Sequence, residues 1–163
     1  MLQVFWDASA LSKRYAAEAG SESTDAVWAS VSASQMTATF LGYAEAYSIL
    51  LRKRNRNDLS DAAFAAATSL LRDEIVSSAE FTLLDVDTRD IFAGIALMER
   101  HNINSADAVI LAAFLRYALA LGEVCVLVAS DQRLLRAASA EGLRTLNPEQ
   151  AAAADMPAFL AAL

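Results

Sequence analysis

Short apolar runs alternate along the chain with longer segments in which apolar residues recur at helical spacing. The short runs predict strands, and the longer segments predict helices. The predicted strands cover residues 2–6, 36–39, 81–86, 124–129 and 143–146. The predicted helices cover residues 8–19, 21–31, 40–53, 59–77, 88–101, 105–121 and 132–141.

Polar residues and glycines mark several of the predicted helix ends. A hydroxyl, amide or carboxylate just before a helix accepts hydrogen bonds from the first N–H groups, whereas glycine favours the end of a helix. The predicted caps are Ser21, Asn57 or Asp58, Asp87 and Ser105. The predicted stops are Gly20, Gly122 and Gly142.

The order of these elements indicates the fold class. Strands that are apolar on both faces and separated by helices form parallel sheets that are covered on both sides. We therefore predict an α/β fold, a three-layer α/β/α sandwich with a central parallel sheet of the Rossmann-like kind. One domain is expected over residues 1–148, followed by an alanine-rich tail over residues 149–163 that packs as a terminal helix.

Composition narrows the class of protein. The 163 residues are 56% hydrophobic and 20% charged, which excludes a disordered chain. The net charge of -7 excludes a globally basic nucleic-acid binder of the simplest kind. A lone cysteine, Cys125, cannot form an internal disulfide. No apolar run reaches the length of a membrane span and no signal peptide is evident, so we expect a soluble, cytoplasmic protein without membrane contact.

Two carboxylates directly follow predicted strands. Asp7 ends the 2–6 run, and Asp131 lies just after the 124–129 run. Ligands of open α/β sheets bind beyond the carboxyl ends of the strands, which is where both acids are expected. Each acid is also explained by a helix cap alone, since aspartate is common in that position.

Two further carboxylates interrupt apolar helix faces. Asp107 shares its face with Ile110 and Phe114, and Glu45 lies in a mostly apolar helix, with no Lys or Arg within six residues of either acid. Charges that face a core are costly unless they are paired or bound to a metal. Carboxylate oxygens favour Mg²⁺ or Mn²⁺ over zinc, and such a site suits phosphodiester hydrolysis. For Asp107, its place in a first helical turn is a competing explanation.

At these residues the chain resembles the PIN-domain ribonucleases, most closely the VapC-type toxins of bacterial toxin–antitoxin pairs. The resemblance extends from about residue 2 to residue 148 and rests on the order and spacing of several short motifs. These are DASALSKRY from Asp7, Glu45 on its helix, HNINSADAV from His101, VASDQRLL from Val128, EGL from Glu141, and Pro148.

The resemblance implies a PIN-like nuclease domain that acts as a Mg²⁺- or Mn²⁺-dependent endoribonuclease. The acids that would bind the metal and carry catalysis are Asp7, Glu45, Asp107 and Asp131. Ser9 and Ser130 match hydroxyl positions that would orient water or phosphate. The implied partners are an RNA substrate, a cognate antitoxin and a second copy of the chain in a homodimer.

A run of basic residues, RKRNR, ends the helix that carries Glu45. Arg52 lies two turns from Glu45 on the same face, about 10 Å away by helical rise. One interpretation is a solvated helix end whose cations complement the helix dipole. The other is contact with the RNA backbone or the antitoxin through Arg52 and Lys53, extended by Lys13 and Arg14.

Other functions fit parts of the pattern. A PIN-fold protein-binding module would keep the fold with little activity, although all four acids are present here. An unrelated metal-dependent phosphatase would use Asp7 as its nucleophile, but the second acid expected two residues later is replaced by Ser9. A receiver domain would need an acid pair at the first strand, where only Asp7 is found. The nuclease is therefore the leading hypothesis.

Overall fold

Five parallel strands form the centre of the computed structural model, which describes residues 2–163 and leaves Met1, the first residue of the predicted domain, outside the described residues. The strands are β1 (Leu2–Trp6), β2 (Met36–Thr39), β3 (Thr82–Leu84), β4 (Val124–Val128) and β5 (Arg144–Leu146). Their order across the sheet is β3-β2-β1-β4-β5. The chain therefore builds the sheet outward from β1 in one direction and then returns to add β4 on the other side of β1.

Helices cover both faces of this sheet. They are α1 (Ala8–Leu11), α2 (Ser21–Ser30), α3 (Phe40–Asn55), α4 (Asp61–Ile75), α5 (Thr88–His101), α6 (Ser105–Leu121), α7 (Gln132–Ala140) and α8 (Met156–Ala161), with 3₁₀ turns at Ser12–Arg14, Ala33–Gln35 and Ala153–Asp155. Val4 and Trp6 face a core shared with α1, α2, α3, α4 and α8. Phe5 and Leu127 face a core shared with α5, α6 and α7. The predicted three-layer α/β/α sandwich is confirmed.

Within residues 2–163, no single helix is both long enough and apolar enough to span a membrane. The pair α5 and α6 meets the length and composition limits only when taken together, and its two parts are bent by 115°.

The first predicted helix is shorter in the structure. It ends at Leu11 and passes into a 3₁₀ turn instead of continuing to residue 19. The Ser21 hydroxyl donates to the Lys13 carbonyl oxygen at 2.7 Å and accepts the Glu18 N–H at 2.9 Å, so this side chain stabilises the turn between α1 and α2. Gly20, with φ +88°, precedes α2 and is not the end of a longer α1, so the predicted cap Ser21 is instead the first residue of α2.

Two other helices are capped by a residue different from the one predicted. The α4 helix begins at Asp61, and the Ser60 hydroxyl, not Asn57 or Asp58, accepts the Ala63 N–H at 3.1 Å. The α6 helix begins at Ser105, but Asn104 is the residue that caps it. In contrast, the predicted cap of α5 by Asp87 is confirmed, since its carboxylate accepts N–H groups of the first turn.

The tail after residue 148 packs against the core beside α2. Met156 and Leu160 of α8 are buried with the residues of that core. The Ser23 hydroxyl donates to the Ala151 carbonyl oxygen at 2.7 Å, which joins α2 to the tail. The domain boundary at residue 148 stays a prediction.

Candidate active site

The sheet brings two of the predicted acids together. β1 and β4 are neighbours, with Trp6 opposite Val128. The Asp7 N–H donates to the Val128 carbonyl oxygen at 3.0 Å and continues this pairing past the end of β1. Asp131 follows β4 and precedes α7. The strand order reverses between β1 and β4, and this is the position at which open α/β sheets bind ligands.

All four predicted acids line one cavity. Glu45 comes from the second turn of α3 in one helix layer, and Asp107 comes from the first turn of α6 in the other. With Asp7 and Asp131 at the strand ends, they border a cavity of about 300 Å³. The residues that line it are Asp7, Ala8, Ser9, Glu45, Ser48, Ile49, Arg52, Asn104, Asp107 and Asp131.

Ser9 holds the Asp7 carboxylate and connects it to the loop after β4. Its hydroxyl donates to Asp7 Oδ2, and its N–H donates to the same oxygen at 2.9 Å. The Ser9 hydroxyl in turn accepts the Ser130 N–H at 2.9 Å. Asp7 is thus the N-cap of α1 as well as the most buried acid of the site, with 4% of its surface exposed.

Ser130 contacts the site through its backbone. Its side chain does not line the cavity, and its hydroxyl oxygen is buried. The contact that it makes to the site is the backbone N–H donated to Ser9. Of the two predicted hydroxyl positions, only that of Ser9 borders the cavity.

Asp131 and Asp107 are both held at helix N-termini. Asp131 Oδ1 accepts the N–H groups of Arg133 at 2.7 Å and Leu134 at 3.0 Å, so its expected capping role is real. Asp107 Oδ2 accepts a hydrogen bond from Asn104 Nδ2 at 2.7 Å, while Asn104 Oδ1 accepts the Asp107 N–H at 2.9 Å. Asp131 therefore caps α7 and also lines the cavity, whereas Asp107 lines the cavity and is held by Asn104, the residue that caps α6.

Asn104 is a site residue that sequence reasoning missed. An Asn three residues before an acid at the start of a helix is a capping signal that was available in the sequence. The serine that follows it is an equally good cap by residue type, so the pattern alone favoured the wrong neighbour.

Burial and neighbouring carboxylates raise the pKa values of Asp7, Glu45 and Asp107. Burial, followed by the charges of Asp7, Asp131 and Glu45, raises the pKa of Asp107 to about 7. Burial is also the main cause of the raised pKa of Asp7, to which Asp131 adds. Burial and then Asp7 raise the pKa of Glu45, while Arg52 lowers it. These couplings indicate that the four carboxylates share one electrostatic environment.

A buried acid outside the cavity differs from the cavity acids because it is paired with an arginine. Asp90, with 1% of its surface exposed, accepts two hydrogen bonds from Arg116, at 2.7 Å from Nε and at 2.8 Å from Nη2. This guanidinium holds the pKa of Asp90 below its ordinary value. The cavity acids lack such a partner within the described chain, apart from the more distant charge of Arg52.

Lys13 and Arg14, two of the predicted RNA or antitoxin contacts, form ion pairs away from the cavity. Lys13 has only 5% of its side chain exposed and pairs with Glu149 at 2.7 Å and Glu18 at 3.4 Å. Arg14 pairs with Glu74 at 2.6 Å and Asp25 at 2.9 Å. The pairs with Glu149 and Glu74 are long-range contacts, so the local sequence gives no sign of them. Neither cation reaches the cavity.

Of the basic residues at the end of α3, one reaches the site. Arg52 lines the cavity, and its Nη1 donates to the Ser48 hydroxyl at 2.8 Å. Lys53 turns away and pairs with Glu18 at 2.6 Å.

The donor chemistry of the cavity fits a hard divalent cation. Its charged oxygen donors are carboxylates, which Mg²⁺ and Mn²⁺ prefer. In the positions that the side chains take in residues 2–163, however, no three His, Cys, Asp or Glu residues are close enough together to hold one ion. The cavity thus has the ligand type and charge for a metal without a preformed coordination sphere.

A parallel sheet with carboxylates at its topological switch point defines the class of this protein as an α/β domain with an acidic site. The model of the PIN domain family matches residues 4–140, so the chain belongs to the PIN domain family. The predicted resemblance to PIN domains is confirmed. No curated protein sequence matches the chain significantly.

Several solved structures share the fold at low sequence identity. PAE2754 from Pyrobaculum aerophilum is 21% identical over 100% of both chains, with a TM-score of 0.62. VapC20 from Mycobacterium tuberculosis, described as a sarcin-ricin loop cleaving toxin, is 18% identical over 86% of this chain and 96% of its own, with a TM-score of 0.63. FitAcB from Neisseria gonorrhoeae is 14% identical over 91% of this chain and 100% of its own, with a TM-score of 0.63.

Proposed function

We propose that this protein is a divalent-metal-dependent endoribonuclease. The observation that carries the proposal is the meeting of four carboxylates, from two strand ends and two helices, in one cavity of a PIN domain. Carboxylates whose charges raise the pKa of a neighbour, as they do that of Asp107, gain most from a cation placed among them. A purely structural role would not require carboxylates from both helix layers to face the same cavity.

Asp7, Glu45, Asp107 and Asp131 are the residues that would hold the metal. A bound Mg²⁺ or Mn²⁺ activates water and stabilises charge on a phosphodiester. Because isolated carboxylates repel one another, we expect the cation to draw these side chains closer than they lie without it. No preformed cluster is needed for such a site, only side chains that can move together.

The chain's own groups have separate tasks in this proposal. Ser9 orients the Asp7 carboxylate through two hydrogen bonds. Asn104 orients the Asp107 carboxylate through one. Asp107, with a pKa of about 7, can hold or release a proton near neutral pH until a cation displaces it. Arg52 brings a positive charge to the rim of an otherwise acidic cavity, where it would bind phosphate.

The biological role that we propose is that of a toxin in a toxin–antitoxin pair. This rests on the fold shared with VapC20 and FitAcB, and on the motif resemblance to VapC-type toxins. The proposal includes a cognate antitoxin as protein partner, a homodimeric state, and a cytoplasmic location, where the RNA substrate is found. The nuclease domain would comprise residues 1–148, with residues 149–163 packed against it.

The proposal is tested by incubating the protein with a pool of structured and single-stranded RNAs in Mg²⁺, Mn²⁺ or EDTA. Asp7→Asn is the informative variant, because asparagine caps a helix as well as aspartate does while removing the charge. Asp87→Asn is the matched control, since Asp87 also follows a strand and caps a helix but does not line the cavity.

We expect metal-dependent cleavage by wild type and by Asp87→Asn, and none by Asp7→Asn. Equal cleavage by both variants would exclude the carboxylate site. Absence of cleavage by wild type under all metal conditions would leave the protein-binding module as the better explanation of the fold.

A further inference from the structure

The basic run at the end of α3 contains two cations that contact a carboxylate or an aromatic ring and two that contact no carboxylate. Lys53 Nζ lies 2.6 Å from Glu18. The Arg54 guanidinium lies 4.8 Å from the centre of the Phe64 ring, and its Nε lies 3.9 Å from Asp61.

Arg52 and Arg56, in contrast, form no ion pair among residues 2–163, and both are exposed. Of the four cations in this run, Arg52 and Arg56 thus contribute guanidinium groups without a carboxylate partner, and that of Arg52 also donates to the Ser48 hydroxyl.

These two arginines share one helix face with the candidate site. Arg56 is the residue that follows α3, and its N–H donates to the Arg52 carbonyl oxygen at 3.0 Å, so it lies one turn beyond Arg52 on the same side. In the other direction the same face carries Ser48 and Glu45, which line the cavity. By helical rise, the distance along α3 from Glu45 to Arg56 is about 16 Å.

Because the site is acidic, a polyanion such as RNA needs nearby positive charges in order to bind there. Four carboxylates border the cavity, and the whole chain has a net charge of -7, so RNA is repelled from most approaches. Guanidinium groups bind phosphate through paired hydrogen bonds, more specifically than a lysine does. Arg52, near the end of α3, and Arg56, just after it, supply these guanidinium groups on the side of the helix that faces the acids.

We propose that Arg52 and Arg56 bind successive parts of the sugar–phosphate backbone of single-stranded RNA, and that the strand enters the site along α3. This inference rests on the proposed nuclease function and adds the direction from which the substrate approaches. RNA is favoured over a protein partner because Arg52 lines the same cavity as the four acids, where the reacting phosphate must lie. Lys53, which belonged to the predicted contact, is excluded from the path by its ion pair with Glu18.

The four cations provide matched variants for the test. Arg52→Gln, Lys53→Gln, Arg54→Gln and Arg56→Gln each remove one positive charge from the same helix end, so they change the net charge equally. They are made in an Asp131→Asn background to prevent cleavage, because asparagine retains the helix cap. Binding of a fluorescent single-stranded RNA of mixed sequence is measured by anisotropy in Mg²⁺ between 50 and 200 mM salt, conditions chosen as roughly the range over which phosphate contacts respond.

We expect Arg52→Gln and Arg56→Gln to weaken RNA binding by about threefold to tenfold each and to reduce the slope of log affinity against log salt by about 0.7. Lys53→Gln and Arg54→Gln should bind RNA within about twofold of the background protein, because their side chains are already occupied. Thermal unfolding of all four variants checks that the fold is retained.

Equal RNA affinities for all four variants would overturn the path along α3 and leave the free arginines to a protein partner. Equal losses in all four would overturn it as well, because general charge would then explain the binding. Neither result bears on cleavage by the unmodified protein, so failure of the RNA path is distinguishable from failure of the proposed nuclease function.

Discussion

Asn104 and Asp107 hold each other at the start of α6. The Asn104 amide oxygen accepts the Asp107 backbone N–H at 2.9 Å, and the Asn104 amide nitrogen donates to Asp107 Oδ2 at 2.7 Å. The first contact caps the helix, and the second orients the Asp107 carboxylate that lines the cavity. One side chain therefore connects the stability of α6 with the orientation of a candidate metal ligand.

Substitution of Asn104 is expected to separate these two roles. Asn104→Ser keeps a capping oxygen but loses the donor to the carboxylate, so stability should stay within about 0.5 kcal/mol of wild type. The affinity for Mn²⁺ should fall by about tenfold, the usual result when a group that orients a metal ligand is lost. Asn104→Ala loses both contacts and should also lower the free energy of unfolding by about 1 kcal/mol.

Electron paramagnetic resonance titration with Mn²⁺ and urea unfolding measure the two effects independently. Wild-type Mn²⁺ affinity in Asn104→Ser would mean that the asparagine serves only as a helix cap. A loss of stability as large in Asn104→Ser as in Asn104→Ala would show that the amide–carboxylate contact itself contributes to the folding of α6.

The pKa of Asp107 predicts how stability depends on pH in the absence of metal. Its pKa rises from 3.8 to about 7 on folding, so the folded state binds the proton more tightly than the unfolded state does. Its contribution is therefore fully present below about pH 4 and is lost as pH rises towards 7. Because the group is only half-buried, solvent screening limits the loss to the order of 1–2 kcal/mol.

Urea unfolding in EDTA between pH 4.5 and 8 measures this loss. Asp107→Asn should show a shallower decline, although not a flat one, because the pKa values of Asp7 and Glu45 are raised in the same direction. Saturating Mg²⁺ should restore stability at the alkaline end of the range. Identical pH profiles for wild type and Asp107→Asn would contradict the shared electrostatics of the cavity.

Two glycines with left-handed backbones differ in their surroundings. Gly20 has φ +88°, and a Cβ there would lie 3.0 Å from backbone atoms of Pro148 and Glu149. Gly142 has φ +90°, but a Cβ there would meet nothing within 4 Å. Gly142→Ala should therefore cost about 1–2 kcal/mol from backbone strain alone. Gly20→Ala should cost about 1–3 kcal/mol more, because it also displaces the start of the tail.

Chemical denaturation of the two alanine variants compares these costs directly. The informative quantity is the difference between them, since the strain of a positive φ is common to both. Equal losses of stability would mean that the segment at Pro148 moves aside freely and that its packing against Gly20 contributes little.

The sequence determined much of the fold through local patterns. The predicted strands at residues 2–6 and 36–39 coincide with β1 and β2. Residues 2–6 are mostly apolar, as a strand that is buried on both faces requires. The positions of Asp7 and Asp131 just after strands were enough to predict that they would meet, since parallel strands end at the same edge of the sheet. Glu45 and Asp107 were detectable because an unpaired acid on an apolar helix face is unusual.

Only the tertiary structure decided which cations are available and which polar side chains orient the acids. Lys13 looked free in the sequence, yet it is buried against Glu149, which lies 136 residues away along the chain. Ser130 matched a hydroxyl position of the motif, and only the fold revealed that its backbone N–H donates to the Ser9 hydroxyl. Apolar periodicity is a local property that each segment carries by itself, whereas an ion pair depends on which distant segments the fold brings into contact.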